Sequence, residues 1–428
     1  MIRYLKKFIN DRFALFILIS GIFGLLIRLG YSYNKEFWLV DPVLAENERV
    51  ARCLYEEGVF GGAFSDSCEP TSHVSPVYPT LLGTIYYFNG EPTIVGKSIL
   101  AIFLATLGII ILVYFSRNVL KSSISVTLAV SLLFVLPFYF QLETAGDHET
   151  TLISLVLSIL LLISFRIINH GWGKFINQLI IGIVFGFSVL ISPMFLPFIL
   201  VFAVCELYRN RFNFGILRRQ LIVAIIASIF LIPWGIRNMD QLGKFIISRS
   251  NLGLELQIGN HDKAIGHTFG YHEKINSISP FDYYHPFVSQ VEKERYIQMG
   301  EVEYMNYKKQ MALNWISENP SKFIYLCFKR FIIFWFPINA STPYSLVKSI
   351  VFCFTAFIAF VFGARSIIVG NYKVSMIFTL MLSICIPYTI THVDYRYRYP
   401  IFGVSILIFF LALEAVIKYL NARRIKTN

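Results

Sequence analysis

The chain has 428 residues, of which 56% are hydrophobic, 16% aromatic and only 15% charged. Soluble globular proteins carry about 25% charged residues, so two or three soluble domains, which the length alone would suit, are excluded. The net charge of +12 invites a nucleic-acid reading, but no basic cluster interleaved with aromatics stands outside the loops, and membrane proteins gather Lys and Arg in their cytoplasmic loops anyway.

The first uncharged run, Phe13 to Ile27, opens a predicted span over 12–32, since a helix needs about 20 apolar residues to cross a bilayer. No small-residue cleavage site follows before Tyr31, so the run reads as an anchor rather than a cleaved signal. A polar, acidic segment comes next, Ser32 to Ile94, with Asp41, Glu46, Glu48, Glu56, Glu57, Asp66, Glu69 and Glu91. Asp41 precedes Pro42 and a short predicted helix that holds Glu46 and Glu48. An acid at a membrane surface beside apolar residues suits a general base, because partial burial raises its pKa toward neutrality. Capping the helix that follows is the plainer role.

Cys53 and Cys68 share this segment, and in an oxidising compartment a disulfide between them is expected. The other four of the six cysteines sit in apolar runs as small hydrophobes. No CxxC pair exists, so no metal site is expected. His73-Val-Ser-Pro-Val-Tyr78-Pro-Thr then enters an apolar stretch, and Pro76 and Pro79 suit the first turn of an interfacial helix. His73 and Tyr78 are candidates to meet a phosphate or a sugar, against the bland reading of surface residues.

Six spans are predicted next, over 95–115, 123–141, 151–167, 175–191, 194–208 and 219–236. With the N-terminus inside, the short inner segments collect Arg117 and Lys121, then Arg166 and Lys174, then Arg209, Arg211, Arg218 and Arg219. The short outer segment Leu142 to Thr150 holds Glu143, Asp147 and Glu149 and no basic residue, as the positive-inside rule requires. The last of these spans ends in Pro233-Trp-Gly-Ile-Arg237-Asn238. Arg237 either snorkels there or holds a phosphate with its guanidinium fork.

A second long outer segment runs from Arg237 to Lys322, past Gly259-Asn260 and a predicted helix, Glu292 to Glu318. Phe323 to Pro337 is apolar but broken by Lys329 and Arg330, and reads as a helix lying in the outer interface or dipping partway in. Three final spans, 346–364, 374–391 and 401–420, place Arg365 and Lys373, then Lys418, Arg423, Arg424 and Lys426, inside. Just before the last span stands Asp394-Tyr-Arg396-Tyr-Arg398-Tyr-Pro400. Two arginines on the outer side need a partner: a lipid headgroup, a carboxylate such as Asp394, or a substrate phosphate.

The expected fold is therefore an all-α polytopic membrane protein of about ten transmembrane helices with both termini cytoplasmic. Residues 1–236 form an N-terminal module that includes a catalytic outer loop, 32–94. Residues 237–345 form an extracytoplasmic segment with an interfacial helix, and 346–428 a C-terminal module. Loops this long in a compact membrane protein are usually functional.

Several of these motifs come in a familiar order: an acid after span one, S-P-x-Y-P-x-L-L, P-W-x-I-R-N leading to L-x-x-G-N, E-x-x-Y at Glu301 to Tyr304, Asn319-Pro320 and R-Y-R-Y-P. The series resembles bacterial GT-C glycosyltransferases, of the branch related to protein O-mannosyltransferases and the lipid A aminoarabinose transferase, over nearly the whole chain. The resemblance implies transfer of a sugar from a polyprenyl-phosphate donor to a glycan, lipid or protein acceptor at the outer face of a bacterial cytoplasmic membrane, with inversion. Asp41 stands where the family places its catalytic base. Pro42 replaces the second acid that relatives often carry, leaving Glu46 or Glu48 for that part. Arg237, Arg396 and Arg398 are the implied phosphate ligands, with His73, Tyr78 and Asn260 as further substrate contacts. No cofactor is expected, and no G-x-x-x-x-G-K-[ST] loop is present. An O-antigen ligase or polymerase shares this logic but concentrates its polar residues in one outer loop. A transporter would bury charges mid-span, where these spans are nearly charge-free.

Overall fold

The computed structural model describes residues 12–34, 45–65, 67–136, 149–266, 284–338 and 343–427. Among them the chain is all-α, and six helices are long and apolar enough to cross a membrane: Ile94–Val119, Glu149–His170, Phe214–Leu242, Ser345–Ile368, Tyr372–Ile390 and Arg396–Arg423. Leu15–Tyr31, Ile124–Phe134 and Phe175–Ile191 are shorter apolar helices. In hydrocarbon every backbone group must be satisfied within its own element, which is why long charge-free runs become helices here. The protein is an all-α polytopic membrane protein.

In chain order the elements are α1 (Arg12–Asn34), α2 (Glu46–Glu56), α3 (Val77–Asn89), α4 (Ile94–Tyr114), α5 (Ile124–Ser131), α6 (Glu149–His170), α7 (Phe175–Ile191), α8 (Phe195–Arg209), α9 (Phe214–Leu242), α10 (Leu252–Gly259), α11 (Gln290–Met299), α12 (Glu301–Glu318), α13 (Pro320–Trp335), α14 (Pro343–Ile368), α15 (Tyr372–Ser383), α16 (Ile386–Ile390) and α17 (Tyr399–Thr427). α6 packs on α4, α9 on α7, and α17 on α14, α6 and α5. One apolar core therefore runs through both membrane modules, from Leu155 and Phe165 to Ile377 and Phe402. The expected helix over 123–141 is seen as Ile124–Phe134, and residues 137–148 lie outside the described residues.

Buried arginines close the ends of these helices. Arg28 donates to Phe134 O at 2.6 Å and Leu133 O at 3.2 Å. Arg330, in the apolar stretch read as interfacial, donates to Gly259 O, to Thr389 O and Ile390 O, and to Asn260 Oδ1. A helix leaves its last carbonyls without intrahelical partners, and a guanidinium has five donors to offer them.

A second, smaller core joins the two long polar segments, with Val50, Phe60, Phe64, Val74, Leu254, Ile258, Tyr296 and Tyr304. The sulfurs of Cys53 and Cys68 are joined in a disulfide that ties the end of α2 to the loop after it. Glu301 clasps this layer together. It accepts from Thr71 Oγ1, from the Ser72 N–H and Oγ at 2.9 Å, from Ser250 Oγ at 2.8 Å and from Tyr296 Oη at 3.0 Å. Every partner is a donor, so an amide in its place would turn an N–H toward them. Glu301→Ala strands several buried donors at once, and a bond to a charged group is worth about 1.5–3 kcal/mol. We expect this layer to lose at least about 3 kcal/mol, read as a lowered unfolding midpoint followed by tryptophan fluorescence. An unchanged midpoint would remove Glu301 from this role.

Candidate functional site

The ends of several helices meet around a cavity of about 550 Å³. The start of α6 contributes Glu149, the end of α7 Val189 and Ser192, and the chain after α9 Lys244 and Arg249. Glu255 comes from α10, Pro387 and Tyr388 from α16, and His392, Arg396 and Tyr397 from the approach to α17. Glu46, at the start of α2, completes the wall. Of the predicted candidates, Glu46 and Arg396 reach the cavity. Arg249, Glu149, Glu255, His285 and His392 were not singled out by sequence reading.

Glycine brings α10 into place. A Cβ on Gly253 would overlap Met305 O on α12, and one on Gly259 would overlap Thr391 O. The two bare faces let α10 lie between α12 and the 391–398 stretch, which carries Glu255 to His392. This accounts for the L-x-x-G-N pattern: Gly259 permits the approach, and Asn260 fastens it by donating to Leu256 O at 2.8 Å and Ile390 O at 3.0 Å. Asn260 is buried, also accepts from Arg330, and does not line the cavity.

On one wall Glu46 lies between two imidazoles, 3.3 Å from His73 Nε2 and 3.2 Å from His285 Nε2. Burial works to raise its carboxyl, but His73 and His285 outweigh burial and hold it at about 2. His73, also buried, is raised by that carboxylate against the pull of desolvation. Burial takes His285 down to about 4. The wall therefore sets one carboxylate between two imidazoles that it and burial shift in opposite directions. These three residues also bring their ligand atoms within 4.8 Å of one another, a donor set suited to a zinc-class ion, where sequence spacing gave no sign of one. His285 Nδ1, however, accepts the Phe287 N–H at 3.1 Å, so neutral His285 carries its proton on Nε2, the atom that faces Glu46. Holding a cation there takes a turn of that ring.

The opposite wall is aromatic and basic. Phe334, Tyr388 and Tyr397 stack, with centroids 5.7 Å and then 4.3 Å apart, and the Arg396 guanidinium sits over Tyr397 at 5.4 Å. Asp394 Oδ2 lies 3.8 Å from Arg396 Nε. Arg249 faces Glu149 at 3.7 Å and donates to Ser192 Oγ at 3.2 Å. Glu255 accepts from Asn251 Nδ2 at 2.7 Å, and its other oxygen lies 3.0 Å from His392 Nδ1. Burial pushes its carboxyl up, and His392 with Arg249 bring it down to about 2.

The remaining candidates are placed elsewhere. Glu48 pairs with Lys97 and accepts the Ala45 N–H at 3.1 Å, so it is spent on its own helix and on α4. Tyr78 is buried in the main core. Arg237 donates to Thr71 O and Phe60 O, both at 2.7 Å, and lies over the Trp234 ring. Arg398 is fully buried and donates to Trp335 O at 2.7 Å and Phe334 O at 3.3 Å. These two arginines satisfy backbone carbonyls and are absent from the cavity lining. Asp41 lies outside the described residues. Behind the wall made by 187–190 and 74–77, an apolar groove of about 860 Å³ opens between α3, α7 and α9, lined by Val77, Leu81, Ile183, Phe187, Phe230 and Trp234 among others. Compared with protein-family models, curated proteins and solved structures, the chain matches none.

Proposed function

We propose that the protein is a membrane glycosyltransferase of the GT-C type, moving a monosaccharide from a polyprenyl-phosphate donor to a glycan, lipid or protein acceptor with inversion. The observation that carries this reading is the cavity itself, where Arg249 and Arg396 share one chamber with Glu46 and Glu255 at the ends of membrane helices. Guanidinium groups suit the growing charge on a departing phosphate. We assign the proton of the attacking hydroxyl to Asp41, shortly before Glu46 in the sequence. A polyprenyl phosphate cannot leave the bilayer, and an apolar groove beside the chamber suits its chain.

The helix ends that line the chamber all belong to one face. The opposite ends carry Arg117, Arg166, Lys174, Arg209, Arg218, Arg219, Arg365 and Lys418. By the positive-inside rule that face is cytoplasmic. The chamber is then extracytoplasmic, in a bacterial inner membrane crossed about ten times, with both termini inside. Attack opposite the leaving phosphate breaks the bond between the anomeric carbon and the phosphate oxygen, which keeps the electron pair. The acceptor oxygen forms the new bond on the other face.

The lipid that co-purifies with the protein, identified by mass spectrometry, tests this reading. A polyprenyl monophosphate carrying one sugar is expected. A polyprenyl diphosphate with an oligosaccharide would favour a ligase or polymerase, and consistent absence of any polyprenyl lipid would overturn the assignment.

A further inference from the structure

We propose that the turn between α8 and α9 is a binding site for an anionic phospholipid, whose phosphodiester Arg211, Arg218 and Arg219 hold and whose chains lie against the two helices. The turn stands at the far end of α8 from the chamber, about 22 Å along a 15-residue helix. The site is independent of the reaction performed there.

The charge balance of this turn is one-sided. From Leu207 to Met239 the chain carries five arginines and no carboxylate. Glu206, just before, is buried and already engaged, with Arg209 and the Tyr372 hydroxyl each 3.1 Å from one of its oxygens. Arg209 is occupied in the same place, donating also to Ile168 O at 3.1 Å and lying over the Tyr372 ring. Arg211, Arg218 and Arg219 differ from it and from the arginines that close helix ends. Among the described residues their side chains form no hydrogen bond or ion pair.

The surroundings place these guanidiniums at a lipid surface. Tyr208, Phe212 and Phe214 are 76%, 69% and 77% exposed, and rings as bare as these suit the headgroup level of a bilayer. Arg211 and Phe212 both take left-handed backbone, at φ 52° and 56°, which is uncommon for side chains of their size. The Phe212 N–H to Leu207 O at 2.8 Å and the Arg211 N–H to Tyr208 O at 3.1 Å fix that turn. Asn213 then accepts the Gly215 N–H at 2.8 Å and starts α9 at once, so Arg218 and Arg219 fall in its first two turns. α9 is long and apolar enough to cross a membrane, and only 11% of its apolar stretch is buried. Leu217, Leu221 and Ile225 recur every four residues along it, as Leu200 and Val204 do on α8, and all five are exposed. Such spacing puts each set on one helix face.

This surface complements a phosphodiester above two acyl chains. Guanidinium groups match the phosphate oxygens, the rings lie at the glycerol level, and the apolar faces continue along the chains. Basic clusters at the foot of a membrane helix recognise anionic headgroups by this means. A glycerol headgroup leaves the phosphate charge uncompensated, whereas a choline headgroup carries its own cation. The turn, with no carboxylate to receive that cation, favours the first.

Native mass spectrometry of the delipidated full chain in detergent tests the site. The protein is titrated with phosphatidylglycerol, with phosphatidylcholine of the same acyl chains, and with inorganic phosphate. Phosphatidylglycerol should bind about 10²-fold more tightly than phosphatidylcholine, each of three arginines contributing about fivefold. The preference should shrink as salt rises from 0.1 M to 1 M, where the Debye length falls from about 10 Å to about 3 Å. The triple variant Arg211→Gln, Arg218→Gln, Arg219→Gln should bind both lipids alike at the parent's unfolding midpoint. If it does not fold, Arg218→Gln and Arg219→Gln taken singly should each weaken phosphatidylglycerol about fivefold. Removing two charges from another basic turn, Arg365→Gln with Lys373→Gln, should leave the preference intact. Equal affinity of the parent for the two lipids overturns the site, as does a triple or single variant that matches the parent. A control pair that lowers the preference as far as the triple variant also overturns it, because the binding is then spread over the whole basic face. Displacement of phosphatidylglycerol by an equal concentration of inorganic phosphate makes the turn a free-phosphate site and overturns the lipid assignment.

Discussion

Asp41→Asn is expected to slow sugar transfer by about 10²- to 10⁴-fold, the usual contribution of a general base, while leaving the fold and lipid binding intact. The expectation rests on the resemblance, which puts the family's catalytic base at Asp41, in an acid-rich loop. Glu48 is committed to Lys97 and to the start of its own helix. Glu46 reaches the chamber, but two imidazoles hold it at about 2, and so acidic a group is a poor proton acceptor at neutral pH. Asp41 stands shortly before α2 in sequence, on the segment that leads to the Glu46 wall. Asparagine preserves its shape and caps a helix as well as aspartate does, so a capping role predicts nearly full activity for the variant. The measurement is single-turnover transfer from the co-purified donor lipid, run beside Glu46→Gln and Glu48→Gln. Normal turnover by Asp41→Asn together with a dead Glu46→Gln would move the base onto α2, and Glu46 would then have to act through the His73 and His285 pair.

The all-α, membrane-spanning character was legible because it depends on composition over long windows. Charge-free runs become helices wherever they fall, and basic residues mark one face. The pairing of Cys53 with Cys68 was legible for a similar reason, since two thiols in one polar segment have few other partners. The chamber was harder to read. Its walls are assembled from residues 46, 149, 249, 255, 392 and 396, far apart in the chain, and of these only Glu46 and Arg396 stand out in their own neighbourhoods. Glu255 sits in an apolar octet, and only the glycines at 253 and 259 hint that another backbone comes close. The arginines show the limit most clearly. Position at a span edge and alternation with tyrosine do not say whether a guanidinium faces a phosphate or a row of orphan carbonyls. In this protein Arg28, Arg237, Arg330 and Arg398 all face carbonyls.

That distinction sets the second large effect. Arg249→Ala and Arg396→Ala should each lower turnover by about 10²- to 10³-fold, as removal of one preorganised donor from a developing oxyanion does. Arg237→Ala and Arg398→Ala should act on stability instead. Arg398 is wholly buried and holds the last carbonyls of α13, while Arg237 ties α9 to the loop carrying Phe60 and Thr71. Stranding buried carbonyls costs about 1–3 kcal/mol each, so both variants should melt earlier, and the folded fraction should keep the parent's turnover per molecule. Arg249 is balanced by Glu149, so a phosphate would compete with that carboxylate for its charge. Glu149→Gln should therefore tighten farnesyl phosphate binding where Arg249→Ala weakens it, an opposition in sign that a purely structural ion pair does not produce. Transfer rate, phosphate affinity and unfolding midpoint measured on the same five variants decide the matter. Should Arg237→Ala stay fully folded yet lose transfer while Arg249→Ala works normally, the phosphate binds at the Trp234 end of α9 and the chamber is not the donor site.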